Sequence, residues 1–269
     1  MRIQLLSMIL GALALSAPIA AHAEDGEAWW SGDWYLKVGA TGFVAPRYEG
    51  AKSYLLQVSP LVSLGKAGQT VRFSSRNDNP SFAVFDNGPI RAGIVGKLIM
   101  PRNADDSDDL KGLAPVKLGL EAGAFVEAYP TDWVRLRAEV RRGIRSHDGI
   151  VADLSADAFT DLTPTIRLSA GPRLSLASNG YMDAYYQVNA KQSAKSGLSK
   201  FDPNGGFTAA GLGAAITWQA TDKIEASAFT EYKRLLGDVA DSSLVRERGS
   251  KNQFVIGLSS TYRFDFKLP

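Results

Sequence analysis

Trp133-Val-Arg-Leu-Arg-Ala-Glu-Val-Arg141 is the stretch on which the fold turns. On an extended chain successive side chains point to opposite faces. Val134, Leu136, Ala138 and Val140 therefore form an apolar face, and Arg135, Arg137, Glu139 and Arg141 a charged one. The pattern recurs along the chain. Ile166, Leu168, Ala170, Leu174 and Leu176 oppose Arg167, Ser169, Arg173 and Ser175. At the end, Phe254, Ile256, Leu258, Tyr262, Phe264 and Phe266 oppose Ser259, Thr261, Arg263 and Asp265. Period-two alternation marks β-strands with one apolar face, but soluble sandwiches and lipocalin-like barrels alternate too.

Length and aromatic placement separate the two. Many candidate strands run for about 10 to 14 residues, enough for a tilted strand to cross a bilayer, whereas soluble strands average about five or six. Aromatics stand near strand ends, at Trp34-Tyr35, Tyr129, Trp133, Tyr181, Trp218, Tyr232 and Phe264, where interfacial girdles belong. Tyr262, Phe264 and Phe266 resemble the terminal-strand signal by which outer-membrane barrels are recognised by their assembly machinery, with Lys267-Leu-Pro269 trailing after it. The expectation is an all-β transmembrane antiparallel barrel of about 12 strands, within a range of 10 to 14.

The N-terminus agrees. Arg2, an apolar stretch from Ile3 to Ala17 and the small-x-small pattern Ala21-His-Ala23 read as a secretory signal peptide over residues 1–23, leaving residues 24–269 as the barrel domain. The apolar core is shorter than the roughly 20 residues of a spanning helix. Removing the leader takes away one base and no acid, leaving 29 basic and 28 acidic residues. That balance gives no reason to expect a nucleic-acid partner. With no cysteine there is neither a disulfide framework nor thiolate chemistry.

Strands are expected near 34–45, 54–65, 70–76, 90–99, 116–128, 133–143, 149–161, 165–177, 181–188, 206–219, 223–235 and 252–266. Asn179-Gly180, Pro130-Thr-Asp132 and Thr221-Asp222 mark tight turns. Longer polar connections fall at 46–53, 100–115, 189–205 and 236–251. Short turns should face the periplasm and long loops the outside. Counted back from the C-terminus, the last four strands obey; further back, Pro130–Asp132 falls outside and the 100–115 segment inside. One strand is miscounted, or some loops break the rule.

Little in the sequence points to catalysis. The single histidine after the leader, His147, lies in Arg145-Ser-His-Asp148. A nucleophile–base relay needs its members within hydrogen-bond reach, and neighbours on an extended chain point apart. Asp105-Asp-Ser-Asp-Asp109 lacks the spacing and glycine of a calcium loop. Gly211 and Gly213 have small neighbours on a strand, a sign of close packing in a barrel wall, and no nucleotide motif is present. No catalytic, cofactor-binding or metal-binding residue is expected.

The polar face is expected to line the lumen. It holds fourteen basic positions, Lys37, Arg72, Arg76, Arg91, Lys97, Lys117, Arg135, Arg137, Arg141, Arg167, Arg173, Lys223, Lys233 and Arg263. Nine acids join them: Glu121, Glu127, Glu139, Asp153, Asp157, Asp183, Glu225, Glu231 and Asp265. Such charges must pair or stay wet. They make either a salt-bridge network filling a narrow barrel or a solvated pore whose basic surplus favours anions.

An ordered set of stretches carries a resemblance. Pro46-Arg-Tyr-Glu-Gly50, Ser75-Arg-Asn-Asp78, Gly88-Pro89, Gly171-Pro-Arg173, Tyr181-Met-Asp-Ala-Tyr-Tyr-Gln-Val188 and Ser196-Gly-Leu198 come first. Tyr232-Lys-Arg-Leu235, Gly237-Asp238, Asp241-Ser242 and Gly249-Ser-Lys-Asn-Gln253 follow. Together they resemble the MipA/OmpV family of outer-membrane proteins over essentially the whole chain after the leader. Asp241-Ser-Ser-Leu-Val245 departs from the family's Asp-Ser-Pro. The resemblance implies an outer-membrane barrel, in contact with outer-membrane lipid and lipopolysaccharide, with no catalytic residues. It also implies a scaffolding role in the cell envelope, joining a lytic transglycosylase to a bifunctional murein synthase.

Overall fold

The computed structural model describes residues 31–66, 73–75 and 78–269, together with the backbone of residues 12–15. The rest of the expected leader lies outside the described residues, as do Arg72 and Arg76. The strands are β1 (Ala12–Leu15), β2 (Gly32–Pro46), β3 (Tyr54–Lys66), β4 (Ser81–Asp86), β5 (Ile90–Ile99) and β6 (Gly119–Thr131). After them come β7 (Val134–Ile144), β8 (Ile150–Thr163), β9 (Ile166–Ala177), β10 (Gly206–Gln219), β11 (Ile224–Leu235) and β12 (Asn252–Leu268). Three short helices interrupt them: α1 (Asn179–Tyr186), α2 (Ala190–Ser196) and α3 (Gly237–Asp241). No helix among the described residues is long and apolar enough to cross a membrane.

One sheet runs β3-β2-β12-β11-β10-β9-β8-β7-β6-β5-β4, every neighbour antiparallel. The pairing of β12 with β2 joins the last strand to the first long one, Leu268 opposite Gly32. The short β1 lies parallel beside β3 and also contacts β4, at the seam between those two strands.

Outside the bulges in β4 and at the start of β10, where Phe85 and Phe207 face out, even-numbered residues on these strands face out and odd-numbered ones in. The outcome inverts a water-soluble protein: Leu56, Ile256 and Leu258 are 68%, 63% and 67% exposed, while Arg135 and Arg141 are 0% and 1% exposed. An apolar surface this extensive needs lipid around it. The face assignments read from 133–141 and from β12 both stand.

One expected strand is a helix, and the described part of another is irregular. Tyr181–Val188 is largely the helix α1. Its apolar residues work at a spacing of four: Met182 and Tyr186 are buried together, and Tyr181 stacks on Tyr185 with ring centroids 4.4 Å apart. An aromatic-rich octapeptide reads as a strand by composition, and tertiary packing decides otherwise. The described part of 70–76, residues 73–75, is irregular, and β4, which was not expected, follows it.

Removing 181–188 from the strand count repairs the sidedness. The segments 47–53, 100–118, 145–149, 178–205 and 236–251 now lie at one end. The turns 87–89, 132–133, 164–165 and 220–223 lie at the other, beside the barrel's two termini. Long loops are outside and short turns periplasmic, as outer-membrane barrels have them.

Candidate functional site

The interior of the barrel and the loops above it hold the buried polar chemistry. The period-two rule delivers the lumen side chains: Arg91 from β5, Glu121 and Glu127 from β6, Arg135, Arg137, Glu139 and Arg141 from β7, Asp153 and Asp157 from β8, and Arg173 from β9. Adjacent strands in register place opposite charges side by side, for example Glu127 against Arg137 and Arg135 against Asp157.

Arg135 and Arg141 are the hubs. Arg135 donates to Asp78 at 2.8 Å, Glu127 at 2.9 Å and Asp157 at 3.2 Å. Arg141 donates to Glu121 at 2.9 Å, Asp153 at 2.6 Å and Glu139. Arg137 joins Glu127 to Glu139, and Arg173 reaches Asp157. Multidentate guanidinium–carboxylate pairing is what allows so many charges out of bulk water.

A chain segment completes the filling. Residues 73–75 and 78–80, which precede β4, reach into the lumen. Phe73 stacks on Phe159 with centroids 4.4 Å apart. Ser75 Oγ accepts from Arg173 at 2.9 Å, and Asn79 donates to Glu139 at 2.7 Å. Asp78 thus enters the network from outside the strand pattern, so alternation could not have revealed it.

The arginines in the middle of the barrel are neutralised. Arg91, Arg135, Arg137, Arg141 and Arg173 are all ion-paired. Lys37, Arg167 and Arg263 sit toward the periplasmic end, paired with Glu225, Asp161 and Asp265. Lys117 is exposed on the loop before β6, and Asp183 is exposed on α1; neither lines the lumen. A cavity of about 550 Å³ remains, and its charged lining is balanced: Lys97, Arg137, Arg173 and Lys233 face Asp78, Glu139, Asp153 and Glu231.

The outer mouth is covered by folded loops with apolar cores of their own. One core combines Met182 and Tyr186 of α1, Val239 and Ala240 of α3 and Val245 with wall residues such as Val151, Ala209 and Leu235. A second gathers Tyr48, Ala51, Leu110, Val188, Leu198 and Leu244 from four different loops. Arginines fasten the loops together: Arg102 donates to the Tyr185 carbonyl at 2.7 Å, and Arg248 to the Asp109 carbonyl at 2.8 Å and to that of Ser196. Burial pushes the Tyr181 and Tyr186 phenols well above their usual range and Tyr185 up to about 12. Tyr48 is raised by burial and then by Asp109, to whose carboxylate it donates.

His147 sits between lid and network. Its Nε2 is 3.1 Å from Glu121 Oε1, and its ring meets Tyr181 edge-on at 5.1 Å. It is buried, and Ser146 Oγ has no hydrogen-bond partner among the described residues, so Ser146, His147 and Asp148 form no relay. The 105–109 acids satisfy the loop itself: Asp106 accepts from the Asn103 amide at 2.7 Å, and Asp108 pairs with Lys111 at 2.6 Å. No group of three or more metal-ligating side chains occurs among the described residues. Gly211 lies where β10 and β11 approach closely; a Cβ there would stand 2.4 Å from the Tyr232 carbonyl oxygen.

Comparison with known proteins fits this architecture. Residues 38–264 match the family described as MltA-interacting protein MipA. The outer membrane protein Omp26La of Vibrio anguillarum is 26% identical over 245 residues, covering 87% of each chain. Among solved structures, an outer membrane channel of Pseudomonas putida F1 is 8% identical, with 90% of this chain and 100% of that one covered and a TM-score of 0.46. The N-terminal β-barrel domain of Pseudomonas aeruginosa OprF is 12% identical, with coverages of 86% and 97% and a TM-score of 0.29. With a family match across nearly the whole barrel, this chain belongs to the MipA family and is a β-barrel of the outer membrane.

Proposed function

We propose that this barrel is a non-enzymatic structural and scaffolding element of the cell envelope, linking murein-synthesising to murein-degrading enzymes. The observation that carries the closed, structural part of this reading is the stopper. A lid with two apolar cores covers the outer mouth, and ion-paired arginines together with residues 73–75 and 78–80 occupy the lumen. The link to murein enzymes draws on the family's description as an MltA-interacting protein. His147 Nε2 contacts Glu121, and Ser146 Oγ makes no hydrogen bond to the ring, which supports the non-enzymatic part. Affinity capture from solubilised envelopes tests the scaffold: murein synthases and lytic transglycosylases should be recovered above the level of abundant porins. Repeated captures that return only porins and lipopolysaccharide would overturn it.

A narrow channel with weak anion preference is the alternative; the polar cavity of about 550 Å³ in the lumen supports the channel, and the anion preference draws on the basic surplus of the polar strand faces. Purified protein in planar bilayers separates the two. Stable conductance steps with an anion-biased reversal potential support the channel, and a silent folded protein supports the closed barrel.

A further inference from the structure

The outward face of the wall is almost free of charge, and the exceptions are alike. Along β2 and β5 to β12, the even-numbered positions that face lipid carry two charged side chains among the described residues, Arg142 and Arg234. Both are arginines, both are exposed, and both stand at the outer ends of their strands, two residues before the end of β7 and one before the end of β11.

Arg142 has apolar surroundings. Val140 and Ile144, on the same face of β7, are 53% and 54% exposed. Its partners across the strands are Ala122 on β6 and Ile150 on β8. It has no ion pair among the described residues. Arg234 donates to Asn252 Oδ1 at 3.3 Å, a neutral partner that leaves the guanidinium charge uncompensated. A cation on the lipid-facing wall is costly toward the midplane and nearly free of cost at the interface. At the interface it is also placed to meet an anion, and a guanidinium matches phosphate oxygens two at a time.

We propose that Arg142 and Arg234 each bind the phosphate of a phosphorylated lipid headgroup in the outer leaflet of the membrane. The two strands are four apart in the sheet, about 19 Å around the wall at the usual strand spacing. That separation makes them anchors for two different lipid molecules. The alternating pattern supplies apolar wall below each arginine for the acyl chains, as at Val140 under Arg142.

The test is lipid binding by the folded full-length barrel in non-ionic detergent, read by native mass spectrometry. The probes are bisphosphorylated lipid A and the same lipid with its phosphates removed. Wild-type protein should retain the phosphorylated form preferentially. Arg142→Gln and Arg234→Gln should each weaken binding at one site about fivefold, the effect of one basic residue at a charged membrane surface. The double variant should lose the preference, and Arg142→Lys should keep most of it. Lys191→Gln, on the lid helix α2 rather than on a strand, should change nothing. Heat-modifiable gel mobility confirms that each variant is folded. Equal retention of the dephosphorylated lipid, or an unchanged preference in the double variant, would overturn the proposal.

Discussion

Replacing Leu258 by arginine should damage this protein far more than the same replacement at Phe264, although both side chains are about as exposed as each other. Leu258 is 67% exposed and Phe264 51%, both on the lipid side of β12. Depth is what differs. Phe254 packs on Tyr232 at the outer girdle, and Tyr262 and Phe264 pack together toward the periplasmic one. The centre of β12, and of the apolar band, therefore falls near Ser260. A strand tilted by about 40° climbs about 2.5 Å per residue. Leu258 then lies about 5 Å from the midplane and Phe264 about 10 Å, close to the edge of a band about 25 Å tall. Arginine costs about 2–4 kcal/mol near the midplane and about 0–1 near the interface. The gap of about 2 kcal/mol is about thirtyfold in the folding equilibrium. Urea titration of each variant in lipid vesicles, with the folded fraction read from heat-modifiable mobility, measures it. Equal midpoints for Leu258→Arg and Phe264→Arg would refute the facing and depth assignments together.

Arg135→Met should destabilise the barrel by about 3 kcal/mol, the low end for breaking a buried pair, because it takes the only cation from Asp78 among the described residues while Glu127 keeps Arg91 and Arg137 and Asp157 keeps Arg173; a urea titration in lipid vesicles reports it. Leu244→Asp places a charge in a lid core in which Leu244 is fully buried; the lid should loosen, and current through planar bilayers should rise above that of the wild type if the lid is the stopper. Tyr185, raised by burial from its ordinary 10.0 to about 12, holds its proton more tightly folded than unfolded. Its contribution is fully present below about pH 10 and is lost as pH climbs toward about 12. Alkaline titration followed by near-ultraviolet phenolate absorbance should show the buried lid tyrosines ionising last, together with loss of protease resistance in the loops.

Strand length with aromatics near the strand ends identified the membrane barrel, and alternation along 133–141 and 252–266 gave the facing of its wall, because a strand between lipid and a polar interior must alternate residue by residue. The arginines and carboxylates of the lumen were legible for the same reason. Which of them pair was not, since Arg135 gathers Glu127 from β6, Asp157 from β8 and Asp78 from an irregular segment, and that meeting depends on register and chain path. Tyr181–Tyr186 looked like a strand because aromatic composition favours one. Only the packing of Met182 and Tyr186 against α3 and the wall makes it a helix, and this exchange is what turns the long loops to one side. The lid itself left no local signal. Its cores are assembled from Tyr48, Leu110, Leu198 and Leu244, single apolar residues scattered over nearly two hundred positions of sequence. The burial of each depends on the other three, and the closed barrel is what brings those loops to the same rim.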